Sequence, residues 1–207
     1  MFRGLKIRTK MLLGYLLIVT LTCFLGVFSL NQTAKVNDAT LNMVKNWLPS
    51  VFYTSDINTA TSDFRIAELQ HILSLTKEQM DKYEQDMQRL LEYIQKRQTE
   101  YEPLISSAEE KRLYDKFVTN WKDYLAEHDK ILPLSRENKN EEAKALIRGN
   151  SQKQYDEFSQ TLLNLINESL KGADQDSRKA DKLYATSRLL VMSLKTATTY
   201  EISPSSS

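Results

Sequence analysis

Residues Met11–Leu30, MLLGYLLIVTLTCFLGVFSL, form a run of twenty positions without a charge. As a helix rising 1.5 Å per residue, such a run spans about 30 Å, the thickness of a bilayer's hydrocarbon core. Arg3, Lys6, Arg8 and Lys10 precede it, and no acidic residue occurs in the first thirty positions. The positive-inside bias then holds the N-terminus in the cytoplasm and sends residues 31 onward across the membrane. A cleaved signal peptide shares the basic start. Its apolar core, however, is ordinarily about 7–15 residues, and Ser29–Ala34 offers no small-x-small cleavage site followed by a clear break. The run therefore reads as an uncleaved anchor. Gly14, Thr22 and Gly26 would suit close helix packing, as small residues do in any membrane helix.

Beyond the anchor the chain is long enough for one domain. Five Gly, four Pro and 27% charged residues among 207 favour long helices over sheet. Four of the 28 basic residues sit in the leader, so 24 face 27 acidic ones in the remainder, a balance of −3. That balance gives no electrostatic footprint for nucleic acid. Cys23 is the only cysteine, which excludes a disulfide within the chain.

After the anchor, Leu41, Val44, Leu48, Val51, Ser55, Asn58, Ser62, Arg65, Leu69 and Ile72 follow alternating steps of three and four, the spacing of a helix seam. No turn signal divides this seam from the membrane run, so one rod is expected to reach about Leu75, kinked at Pro49. Thr76 and Gln79 read as a capping box opening a second helix. Its stripe is Met80, Tyr83, Met87, Leu90, Ile94 and Tyr101, with Arg97 in the gap, and Pro103 marks its end. Ser106–Glu110 caps a third helix with Tyr114, Phe117, Trp121, Tyr124, His128 and Ile131 in register, and Pro133 is expected to close it. A polar stretch, Arg136–Asn150, holds a short helical patch at Glu141–Ile147. The fourth helix starts near Ser151 and carries Tyr155, Phe158, Leu162 and Leu165, then Ser169, Gly172 and Asp176. Its adjacent face offers Leu163, Ile166, Leu170, Ala173, Ser177 and Ala180.

These elements predict an all-α chain: one N-terminal transmembrane helix continuing into an antiparallel up-down-up-down four-helix bundle. The expected divisions are a basic leader at 1–10, the span at 11–30, the bundle at 31–188 and a truncated or disordered tail at 189–207. The apolar run Leu189–Leu194 is cut after six residues by Lys195 and Thr196, too short for a second span. The ending TYEISPSSS is polar and low in complexity.

The basic leader and first span, Asn46-Trp47-Leu48-Pro49-Ser50-Val51, Trp121-x-x-Tyr124 and Glu142-Ala143-x-x-Leu146, in this order and spacing, resemble the N-terminal portion of bacterial methyl-accepting chemotaxis receptors over Phe2–Leu194. The resemblance implies a homodimer in the bacterial inner membrane whose periplasmic bundle binds a small attractant. It also implies a second span, a HAMP linker and a cytoplasmic coiled coil that contacts the chemotaxis kinase and its adaptor. None of these is present in the sequence, so the chain reads as a fragment, a truncated product or a frame-shifted gene. Similar bundles serve histidine kinases and cyclases, and a truncated subunit that pairs without signalling is a further alternative.

Glu68-x-x-His71 places two metal-ligand types on one helix face, but di-iron bundles need a second such motif and further inward glutamates. His128 has Leu125 three positions before it, and its ordinary reading is a hydrogen-bonded core residue. No Cys/His cluster, glycine-rich phosphate loop or G-x-S-x-G turn appears, so no cofactor and no enzymatic activity are expected.

The polar break in the first seam points to binding. Ser55, Asn58, Ser62 and Arg65 occupy consecutive seam positions, and Arg65 is the only arginine between Asn31 and Leu75. The resemblance implies ligand binding high in the bundle between the first and fourth helices, often with an arginine on the first. Threading the fourth helix antiparallel brings Arg65 level with Tyr155 and Phe158. The candidate ligand-binding residues are therefore Arg65, Asn58, Ser62, Tyr155, Phe158 and Thr161. A guanidinium on a bundle seam loses hydration and offers a carboxylate two parallel bonds, so the expected ligand is a small organic acid or amino acid. Glu68, three positions on, is expected to pair with Arg65 only at a partly exposed site, where such a pair contributes little.

Overall fold

The computed structural model describes residues 6–200. Arg3 of the leader and the last seven residues of the tail lie outside them. Among the described residues every regular element is helical: α1 (Ile7–Asn42), a π-helical turn (Met43–Trp47), α2 (Leu48–Leu73), α3 (Lys77–Tyr101), a 3-10 turn (Glu102–Leu104), α4 (Ala108–Arg136), α5 (Asn140–Arg148) and α6 (Asn150–Tyr200). The chain divides into two compact units, Met43–Asp174 being one, and the described residues up to Asn42 with those from Gln175 being the other.

In the second of these, the helix that begins at Ile7 holds a stretch long and apolar enough to cross a bilayer, with mean hydropathy 2.3. Leu12, Leu16, Leu17 and Phe24 lie exposed along it. The hydroxyls of Thr20 and Thr22 donate back to the carbonyls of Leu16 and Ile18, each at 2.8 Å. A hydroxyl satisfied in this way needs no water.

The Met43–Asp174 unit is the bundle. Its first turn shows how the chain accommodates Pro49. Proline has no N–H to give the carbonyl four residues earlier, here Lys45. Lys45 lies inside the π-helical turn, and Pro49 takes a first-turn position of α2, where a missing donor costs least. The Trp47 ring packs against Gly172 of α6, and a methyl group added at Gly172 would fall on that ring.

Short turns join α2 to α3 and α3 to α4, and α5 bridges α4 to α6, so α2 and α4 run one way and α3 and α6 the other. Ser107 caps α4 in a full capping box. Its hydroxyl accepts from the Glu110 N–H at 3.0 Å, and the Glu110 carboxylate accepts from the Ser107 N–H at 3.1 Å. The same buried carboxylate takes bonds from Ser106 and, across the bundle, from Ser169 of α6 at 3.2 Å. Thr76 caps α3 by accepting from the Gln79 N–H at 3.3 Å.

The stripes expected for α3, α4 and α6 all face inward. Their centre is an aromatic stack. Phe64 of α2 meets Trp121 edge-on at 5.5 Å, and Phe158 of α6 meets Trp121 at 5.2 Å and Tyr124 at 5.3 Å. A smaller cluster of Ile72, Ile131, Ala143 and Ile147 tucks α5 against the end of the bundle.

Two expectations need correction. Pro133 does not close α4, which runs on to Arg136. A proline this close to a C-terminus removes a single helical bond, and the carbonyl of Pro133 itself accepts from Glu137 N–H at 3.1 Å. The buried stripe of α2 is also not the seam read from the sequence. Ser50, Thr54, Ile57, Thr61, Phe64, Glu68 and His71 face the core, in three-four steps one residue earlier than the expected seam, while Leu48 and Leu69 are exposed.

Candidate functional site

Arg65 stands at the edge of that stripe, where α2 approaches the start of α6, and is 6% exposed. Its Nη1 donates to Ser151 Oγ at 2.6 Å, and its Nη2 to the Ile147 carbonyl at 2.7 Å and to Gln152 Oε1 at 2.9 Å. The guanidinium carbon sits 5.5 Å from the Tyr155 ring centroid and 5.8 Å from that of Tyr124. One side chain thus gathers the end of α5, the first turn of α6 and a tyrosine from α4.

The anion beside it is Glu68, only 1% exposed, with Oε2 3.5 Å from Arg65 Nη1. This corrects the expectation of a weak surface pair. The carboxylate is buried because α4 brings two donors to it: Tyr124 O–H at 2.6 Å on Oε2 and His128 Nδ1 at 2.8 Å on Oε1. A buried ion pair persists when further hydrogen bonds occupy its remaining lone pairs, and here they do. Burial and the Glu68 charge push the Tyr124 hydroxyl well above its ordinary pKa, so it stays a donor. Glu68 and His71 turn to different partners, so the Glu-x-x-His spacing does not bring their polar atoms to one point. His71 Nδ1 meets Ser135 Oγ at 2.7 Å, and its Nε2 meets Glu84 Oε1 at 3.1 Å.

The other candidate residues divide into two groups. Ser62 Oγ lies 3.1 Å from the Tyr155 hydroxyl, one turn below Arg65, and both residues are half-buried. Asn58 lies a further turn down. Its carbonyl accepts from Thr61 and Ser62, and its buried Oδ1 has no hydrogen-bond partner. Phe158 is wholly buried in the aromatic stack, and Thr161 is buried with its hydroxyl on the Glu157 carbonyl at 2.7 Å. Arg65, Ser62 and Tyr155 therefore form a continuous lip between α2 and α6, with Asn58 below and Phe158 and Thr161 behind. Sequence reasoning missed Ser151 and Gln152. Their signal was their place in the first turn after the Gly149 break, level with Arg65.

Residues 4–184 match the family described as a four helix bundle sensory module for signal transduction. Among curated proteins, the chain is similar to "Putative sensory transducer protein YvaQ" of Bacillus subtilis (strain 168), at 21% identity over 180 residues. That match covers 87% of this chain and 32% of the relative, so the chain spans about a third of the relative's length.

Proposed function

Because the chain belongs to the family of four-helix-bundle sensory modules for signal transduction, we propose that its bundle binds a small carboxylate-bearing molecule, an organic acid or an amino acid, at the lip formed by Arg65, Ser62 and Tyr155. In this reading residues 1–10 are cytoplasmic, 11–30 cross the bacterial inner membrane and 31–188 form the periplasmic sensor. A full-length transducer of this kind would pass the signal to a chemotaxis kinase and its adaptor.

The observation that carries the reading is how unequally Arg65 is held. Ser151 and the Ile147 carbonyl are buried and fixed, but Gln152 is exposed and shares its amide with Asp156 at 2.8 Å. Its carbonyl is the contact most easily replaced. A ligand carboxylate arriving there exchanges a neutral acceptor for a charged one, and charge-assisted bonds are about twice as strong. Tyr155 and Ser62 offer hydroxyls beside it, Asn58 offers its amide, and Phe158 and Thr161 back the lip from the core. Binding at this point bears on α2 and α6 together.

The homodimer belongs to the same proposal. On α2 the outward residues Phe52, Ile66, Leu69 and Leu73 are exposed, as are Leu163 and Leu170 on α6. A second copy pairing along these faces would cover them, weakly without ligand because small and polar residues interrupt both.

Calorimetry with the full chain in detergent, screening small mono- and dicarboxylates, tests the site. Arg65→Lys is expected to weaken binding about 10–150-fold, the loss of one charge-assisted hydrogen bond that lysine is not shaped to replace. Gln152→Glu should abolish binding by seating an internal carboxylate on Arg65. Unchanged affinity in both variants would remove Arg65 from the site.

A further inference from the structure

The chain has two histidines, and both lie buried at the α2–α3 end of the bundle, each bonded to a glutamate. His71 is 1% exposed, and through it three helices meet: α2 carries the ring, α4 supplies Ser135 and α3 supplies Glu84. The Glu84 carboxylate is shared, accepting from Arg136 Nε at 2.7 Å and Nη2 at 2.6 Å. When the ring is neutral, Nε2–H donates to Glu84 and Nδ1 accepts from the Ser135 hydroxyl. When it is protonated, both nitrogens donate and the hydroxyl turns to accept. Neither state loses a bond at the ring. What changes is charge, from a balanced Arg136–Glu84 pair near the surface to a triad with one net positive charge, the added proton sitting on a buried ring.

The surroundings fix which state is favoured. The charged and titratable groups facing His71 are Glu84 from α3, with Arg136 and His128 from α4. Glu68, one turn earlier on α2, spends its carboxylate on Tyr124 and His128. α5 brings the apolar Ala143 and Ile147 to the cluster around the adjacent Ile72. Burial pushes the His71 pKa below 6.5, the nearby Glu84 opposes the shift, and Arg136 and His128 reinforce it.

We propose that His71 is a proton-binding site through which the module senses acidity, because taking up a proton weakens the fit of α2 against α3 and α4 at this end of the bundle. A base whose pKa is lower folded than unfolded binds fewer protons when folded. Stability therefore falls as pH drops through the ordinary histidine range, and the loss levels off only below the folded pKa. A proton at His71 thus loosens the end of α2, the helix that also carries Arg65. The input is separate from the ligand lip and needs neither Arg65 nor Gln152.

The test uses the full chain in detergent micelles between pH 8 and pH 5. Isotope-labelled histidine gives one NMR signal for each of the two rings, and hydrogen exchange reports opening of the α2–α3 turn. The expected result is a His71 midpoint below 6.5, with turn exchange rising as the ring titrates. His71→Gln should abolish that rise, and His128→Gln should retain it. Gln152→Glu, which blocks the proposed ligand lip, should leave the pH response intact and so separates the two readings. A His71 midpoint at or above 6.5, or a pH-dependent rise undiminished in His71→Gln, would overturn the proposal. If His71→Gln does not fold, the wild-type midpoint still decides.

Discussion

Helices α2 and α4 border the same core and fill it with side chains of different size. α4 buries large side chains, Tyr114, Phe117, Trp121, Tyr124 and Ile131, with polar residues among them. α2 buries Ile57, Ala60, Phe64, Ala67 and Ile72 amid Ser50, Thr54, Thr61, Arg65, Glu68 and His71, and it leaves Ile66 and Leu73 at 55% and 59% exposure. Burying polar groups and exposing apolar ones is unfavourable twice over unless each polar group is bonded and the apolar face has another use. In α2 the charged and histidine side chains, Arg65, Glu68 and His71, are bonded to α3, α4, α5 and α6, while the hydroxyls of Ser50, Thr54 and Thr61 bond within α2 and the turn before it. The contrast teaches that both helices bury polar groups, but α4 fills the core with large aromatic side chains, whereas α2 lines it mainly with small and polar ones and leaves apolar side chains on its outer face.

Cutting the one large aromatic of the inner face should produce the largest effect. Phe64→Ala is expected to lower unfolding free energy by about 3–5 kcal/mol in urea titrations. Ile66→Ala, two positions on, should cost under about 1 kcal/mol. Comparable losses at both positions would dissolve the distinction between the faces.

Removing the buried charge is expected to cost less. Glu68→Gln leaves Arg65 without its anion and deprives Tyr124 and His128 of a charged acceptor, for a loss of about 2–3 kcal/mol by the same measurement. A variant as stable as the parent would mean that the network does not hold α2 in place.

Smaller again is the contact at the opposite end of α2. Gly172→Ala drives a methyl into the Trp47 ring, an overpacking expected to cost about 1–3 kcal/mol. Replacing Trp47 by Leu in the same chain should recover much of that loss. A double-mutant cycle with no coupling would show that the two residues do not bear on one another.

How much of this was legible in the sequence depended on contrast. The stripes of α3, α4 and α6 could be read because large apolar residues alternate with charged ones at helical spacing. α2 offers two stripes at the same spacing, one residue apart, both interrupted by serine, threonine or asparagine. Leu48 and Leu69 mark the outer stripe as strongly as Ile57 and Phe64 mark the inner one. Choosing by apolar residues alone led to the stripe at the edge of the core, where Leu48 and Leu69 are exposed but Arg65 and Ile72 are buried. Arg65 was legible as a seam residue, but the depth of Glu68 was not, because it depends on donors from α4, far away in sequence. Gly172 showed itself only as a small residue on a seam, and the ring that fills its space comes from the other end of the chain's bundle segment.

The inversion of α2 is tested most directly by single cysteines along it, in a full-length Cys23→Ser background. A hydrophilic maleimide is applied to the folded protein at two inner positions, Ala60→Cys and Ala67→Cys, and two outer ones, Ile66→Cys and Leu73→Cys. Rapid labelling is expected at 66 and 73 and slow labelling at 60 and 67, with disulfides between copies forming only through the outer pair. Equal labelling at all four positions, or cross-links through 60 and 67, would contradict it.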